Sequence, residues 1–136
     1  MKEKELELYQ SVGLLFLSHG IKSMTMDNIA KQLKISKKTL YKSVKDKADL
    51  VNKVMTLKCS VEECLMVDFA KNAKNAIDEI IMISKYVSAQ LQQIHPSLHY
   101  DLANYYPEAF KTFSSHKSNV IQVDIYFFFT IIKRSY

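Results

Sequence analysis

Seven lysines stand between Lys31 and Lys47, against the single acid Asp46. Ammonium groups crowded on so short a stretch make a polyanion site, because each phosphate they neutralise releases condensed counterions. The stretch that carries them, Thr25 to Lys47, reads as two short helices joined by a tight turn, an arrangement that lays its second helix in a groove of DNA. A solvated basic face is the plain alternative. It is set aside because the lysines share their segment with the helix-turn-helix pattern. Charge is uneven over the whole chain: ten lysines face six acids in residues 1–50, and nine basic residues face eight acids in residues 51–136.

Other chemistry is harder to find. There is no Gly-rich phosphate loop, nucleophile motif or metal set, so the expectation is a protein that is not an enzyme and takes no cofactor or metal. Cys59 and Cys64, five apart on one helix, suit neither a disulfide nor a zinc site. His95 and His99 are four apart, but Pro96 intervenes and no third ligand is clear. Met24, Met26, Met55, Met66 and Met82 read as packing residues. The N-terminus MKEKELELYQ alternates acid with base and resembles neither a signal nor a transit peptide, which predicts a cytoplasmic protein with reduced thiols. The apolar run Ile125 to Ile132 is too short for a bilayer, which needs about 20 residues, so no membrane partner is expected.

The elements that must position the lysines are helical. Only two Gly and two Pro occur in 136 residues, so turns are few and an all-α chain is expected. Lys4 to His19 carries Leu8, Val12, Leu15 and Phe16 at helical spacing, with Gly20 as a left-handed C-cap and Ile21 closing over the end. Gly13 inside it predicts the close approach of a crossing helix. Thr25 caps a second helix, Met26 to Leu33, which buries Ile29, Ala30 and Leu33. Lys34 and Ile35 make the turn. Ser36 caps a third helix to Ser43 or Val44, with Leu40 and Val44 inward and Lys37, Lys38, Thr39, Tyr41 and Lys42 outward or along the flank.

Asp46 and Asp49 resemble a capping box with acids in both roles and start a fourth helix at Lys47. Its stripe of Leu50, Val54, Leu57, Val61 and Leu65 is expected to run from the head into a body. Ala73 to Ile94 predicts a fifth helix of about six turns, ending before Pro96. A short sixth has Leu98, Leu102 and Tyr105 on one side. Pro107 suits the first position of a seventh, with Phe110 and Phe113 inward. Val123 to Tyr136 has no helical spacing.

These residues carry a resemblance. Leu6 to Val54 resembles the N-terminal DNA-binding domain of the TetR family of bacterial transcriptional regulators. The matching residues are the helix ending in His19-Gly20, then Met24-Thr25-Met26-Asp27-Asn28-Ile29-Ala30, Ile35-Ser36-Lys37-Lys38-Thr39-Leu40-Tyr41 and Lys45-Asp46-Lys47-Ala48-Asp49-Leu50. Asp101-Leu102 and Tyr105-Tyr106-Pro107-Glu108 look, more weakly, like the regulatory body of some members. The resemblance implies an all-α fold: a three-helix head with the helix-turn-helix at residues 1–46, and a helical ligand-binding and dimerisation body at 47–122. An atypical apolar tail at 123–136 lies beyond it.

It also implies roles. Thr25, Tyr41 and Lys47 would hold DNA phosphates, and Lys37, Lys38, Thr39 and Lys42 would face base edges. Ser43 stands where an aromatic residue or His often completes the phosphate contacts, and Val44 where Phe often packs. Ser43 has the shorter reach. The implied partners are a palindromic double-stranded DNA operator, a second copy of the chain, and a small apolar ligand that relieves repression.

Length bears on the dimer. The family's interface is made by two long C-terminal helices for which 136 residues leave no room. The tail looks like an AT-rich frame read out of register, so truncation or a frameshift near Gln122 is expected. The body would then be incomplete, with apolar faces of the fifth to seventh helices exposed. The alternative is a helical interaction protein or decoy that heterodimerises with a full-length relative.

Overall fold

Capping chemistry sets where the helices begin. The computed structural model describes residues 2–116, and its regular elements are helices: α1 (Glu3–His19), α2 (Met26–Gln32), α3 (Lys37–Ser43), α4 (Lys47–Asn72), α5 (Ala76–Gln93), α6 (Leu98–Tyr105) and α7 over residues 107–116. Thr25 Oγ1 accepts from the Asn28 amide at 3.1 Å and Ser36 Oγ from the Thr39 amide at 3.0 Å. Asp46 Oδ1 accepts from the Asp49 amide at 2.8 Å. Each satisfies an amide that the helix itself leaves unpaired. The box at α4 is shifted by one residue from the expected one: Asp49 reaches back to the Lys45 amide at 2.9 Å.

Val12, Ile21, Ile29, Leu40, Leu50 and Val51 are fully enclosed, and they come from α1, the loop after it, α2, α3 and α4. Burial of a side chain of this size contributes about 1.5–3 kcal/mol. α1 and α4 cross at Gly13, where a Cβ would lie 3.4 Å from Val54 Cγ1, the close approach that a glycine inside the helix predicts. The core does not stop at the head. Leu98, Leu102 and Ala109 from α6 and α7 join it, with Phe110 and Phe113 packed against it as expected.

Three expectations change. Of the α4 stripe Leu50 and Val54 are buried, but Val61, farther along a helix about 39 Å long, is 49% exposed. The fifth helix starts at Ala76, capped by Asn75, while Ala73 ends α4. Its position moves but its exposure does not depart from expectation: none of its residues is fully buried, and Ile77 and Leu91 are 60% and 67% exposed. In α6 it is Tyr106, just past the last turn, that packs against the core, and Tyr105 faces outward. Tyr106 has φ −135° and ψ 69°, outside helical geometry, so the chain leaves the helical register at the residue whose ring turns inward. The tail at 123–136 lies outside the described residues.

The turn of the helix-turn-helix closes by two hydrogen bonds. The Lys34 amide donates to the Lys31 carbonyl at 3.2 Å and the Ile35 amide to the Ala30 carbonyl at 3.0 Å. This is the Schellman pattern, and it puts Lys34 at φ 56°, the left-handed conformation that glycine adopts without steric cost. Lys34→Gly is therefore expected to stabilise the fold by about 0.5–1 kcal/mol, read as a raised melting temperature. A lowered one would show that the lysine side chain contributes more than the backbone loses.

Candidate nucleic-acid interface

Helix α3 has seven residues, too few to hold its shape alone, so its surroundings must hold it. Leu40 is its one fully buried residue. Ser36 closes its N-terminus, and the C-terminal Ser43 carbonyl accepts from Lys53 Nζ at 2.9 Å and from Tyr9 Oη at 3.3 Å. Lys53 is itself paired with Asp49 at 3.2 Å. A cation at a helix C-terminus also complements the helix dipole.

What α3 offers to solvent is basic and aromatic. Lys37, Lys38, Thr39, Tyr41 and Lys42 are all exposed. Lys37 is tethered to Asp27 in the first turn of α2, at 2.9 Å, which brings the N-termini of α2 and α3 together. Thr39 Oγ1 lies 2.7 Å from Ser36 Oγ, which engages part of its hydrogen-bonding capacity and leaves the rest, with the methyl group, for a base edge. Among the described residues Lys38 and Lys42 enter no ion pair. Tyr41 is 42% exposed, which leaves its phenol accessible.

Two further groups stand at helix N-termini. Thr25 uses its hydroxyl oxygen as the acceptor that caps α2 and keeps its hydroxyl hydrogen to donate. Lys47, the first residue of α4, donates from Nζ to the Ile21 carbonyl at 2.7 Å and lies 5.9 Å from the centre of the Tyr106 ring. Burial pushes its pKa below the usual lysine range, and the Asp101 carboxylate opposes that shift. One of its three donors is taken, so the ammonium is held in place with two still to offer.

Sequence reasoning missed the residues that do the holding. They are Tyr9, Lys53 and Asp101: the first two carry no assignment in the sequence, and the third falls only within the weakly matched Asp101-Leu102 stretch. Asp101 alone left a signal, since its spacing from Leu98 and Leu102 puts a carboxylate on the apolar face of α6. It is 5% exposed, and its Oδ2 accepts from the amides of Ile21 and Lys22 at 3.1 and 3.0 Å.

The two histidines considered as ligands are engaged separately. His95 Nδ1 lies 2.8 Å from Ser97 Oγ, and His99 packs on the rings of Phe110 and Phe113. Cys59 is buried beside Glu62 and Glu63. Burial first, and then those carboxylates, push its thiol up to about 11, so it stays protonated at neutral pH. No helix among the described residues is long and apolar enough to cross a membrane.

The model for the family of bacterial regulatory proteins described as tetR matches residues 15–54, from the second half of α1 into α4. No curated protein and no solved structure matches the chain.

Proposed function

By the DNA-binding head at residues 15–54 the chain belongs to the TetR family of bacterial regulators, and from that premise we propose that it is a repressor that binds a palindromic operator as a dimer and releases it when a small apolar ligand binds. The observation that carries the reading is the mounting of α3. A seven-residue helix is capped at both ends, anchored by Leu40, and turns lysines and a tyrosine to solvent. On this reading residues 1–46 form the reading head and residues 47–122 the body.

Lys37, Lys38, Thr39 and Lys42 face base edges, where an ammonium donates to guanine O6 and N7 and a threonine methyl meets a thymine methyl. Thr25, Tyr41 and Lys47 grip phosphates on either side, two of them at helix N-termini whose free amides already favour an anion. A groove of about 360 Å³ between α1, α4 and α5 supports ligand relief. Leu14, Leu17, Leu57 and Val61 line it, and Glu62 and Tyr86 stand on its polar edge. It has the size and mixed lining of a small-molecule site.

Gel-shift titration against the region upstream of the chain's own coding sequence, at several salt concentrations, tests the proposal. Lys47→Ala is expected to lower affinity almost uniformly across sequences and to flatten the log-salt slope by about 1 per protomer, whereas Lys38→Ala mainly relaxes base preference. Binding that ignores salt, or none at any salt, refutes the repressor reading. Light scattering on the same sample decides the dimer.

A further inference from the structure

One peptide group ties the body to the head. The 21–22 peptide lies in the loop from α1 to α2. Its carbonyl, that of Ile21, accepts from Lys47 Nζ at 2.7 Å, and its N–H, that of Lys22, donates to Asp101 Oδ2 at 3.0 Å. The neighbouring Ile21 N–H donates to the same carboxylate oxygen at 3.1 Å. A buried carboxylate on α6 and an ammonium at the start of α4 thus polarise a single peptide from opposite ends, the arrangement in which hydrogen bonds strengthen one another.

The body closes on this loop at further points. The His95 amide donates to the Leu17 carbonyl in the last turn of α1 at 2.8 Å, and Lys22 Nζ donates to Tyr105 Oη at 2.7 Å. Gly20 lies against the side chains of Ser97, Asp101 and His95 with no room for a Cβ. The loop so gripped leads directly into Thr25 and α2, and its carbonyl holds Lys47. Both are phosphate anchors in the function proposed above, on which this inference rests.

We propose that Asp101 is a positioning residue for DNA binding, the point at which the body sets the affinity of the head. With α6 in place, Asp101 holds the 21–22 peptide, the peptide holds Lys47, and the loop presents Thr25. Withdrawal of α6 by less than the length of a hydrogen bond orphans two amides and frees the Lys47 ammonium to leave its place. A ligand that moves α6 then lowers operator affinity without touching a DNA-facing residue. That is the two-state element a switch of this kind needs.

The test compares Asp101→Asn, Asp101→Ala, Lys47→Ala and the Asp101/Lys47 double variant in the full chain, by gel shift on the upstream duplex and by amide exchange without DNA. Asp101→Ala is expected to weaken binding about tenfold with an unchanged log-salt slope, since no phosphate contact is lost, while Lys47→Ala weakens binding and flattens the slope by about 1. In the double variant the Asp101 change is expected to add less than it costs alone, because the part of its effect that runs through Lys47 is already lost and only the part through Thr25 remains. Asp101→Asn keeps the shape and an acceptor oxygen, so it is the variant that stays folded and shows a smaller effect in the same direction. Wild-type affinity in folded Asp101→Asn and Asp101→Ala, or full additivity with Lys47→Ala, overturns the proposal. If the wild-type chain binds no duplex, the repressor reading fails, and amide exchange still decides the latch. Faster exchange at Ile21, Lys22 and Asn28 in Asp101→Asn supports it, and unchanged exchange there overturns it.

Discussion

Leu40→Ala is expected to destabilise the fold by about 2–5 kcal/mol and to remove DNA binding with it. Leu40 is fully buried and is the one residue that seats α3 in the core. Truncation loses the transfer energy of the removed atoms and leaves a cavity that a seven-residue helix, pinned at both ends, cannot close by tilting. Against a total stability of about 5–15 kcal/mol the loss is large, and the midpoint of thermal unfolding should fall by roughly 10 °C or more. Lys38→Ala, two residues away on the opposite, exposed side of the same helix, is the control, expected to lie within about 0.5 kcal/mol of wild type. Circular dichroism melts and gel shifts on both variants separate the effects. Were Leu40→Ala to melt like wild type, α3 would have a support other than this one side chain.

That one prediction can be made from either end shows what was legible in the chain. Leu40 was readable as inward because Ser36 fixes the start of α3 and helical spacing does the rest. The same holds for Thr25 with Ile29, and for Asp46 with Leu50 and Val54. In each case the informative residues are neighbours in sequence, so local chemistry decides. The exposed set of α3 follows from the same register.

Long-range pairing is where the reading ran short. Nothing adjacent to Lys53 announces that it closes the Ser43 carbonyl, and nothing adjacent to Lys47 announces the Ile21 carbonyl, since these partners are 10 and 26 residues away. Asp101 is 80 residues from Ile21. The α5 pattern left burial open for a related reason. Periodicity shows that Ile77, Ile81 and Leu91 share a helix, but only the placement of other elements decides how much of that helix is covered. Tyr105 and Tyr106 exchanged roles because helix α6 ends between them, and helix ends are where sequence spacing is least able to choose.

The two glycines give the second large effect and a matched contrast. Gly20→Ala is expected to destabilise by about 2–4 kcal/mol, from two sources. Gly20 has φ 81° and ψ 176°, a region that is nearly closed to residues with a Cβ and costs on the order of 1–3 kcal/mol to occupy. The added methyl would also run into Ser97 Oγ, which cannot simply rotate away while it is paired with His95 Nδ1 at 2.8 Å. Relief requires the start of α6 to back off, and that loosens the grip of Asp101 on Ile21 and Lys22. Gly20→Ala should therefore weaken DNA binding more than its stability loss alone predicts, with the log-salt slope kept. Gly13→Ala is the opposite case. Gly13 lies inside α1 with helical geometry, and its new methyl would sit 3.4 Å from Val54 Cγ1, close to ordinary contact. A gain of about 1 kcal/mol in helix propensity is available there, so Gly13→Ala should be neutral to mildly stabilising. Chemical denaturation of the two variants side by side decides it. Equal losses would mean that the α1–α4 crossing is tighter than 3.4 Å allows, and equal tolerance would mean that the body does not press on the loop at Gly20.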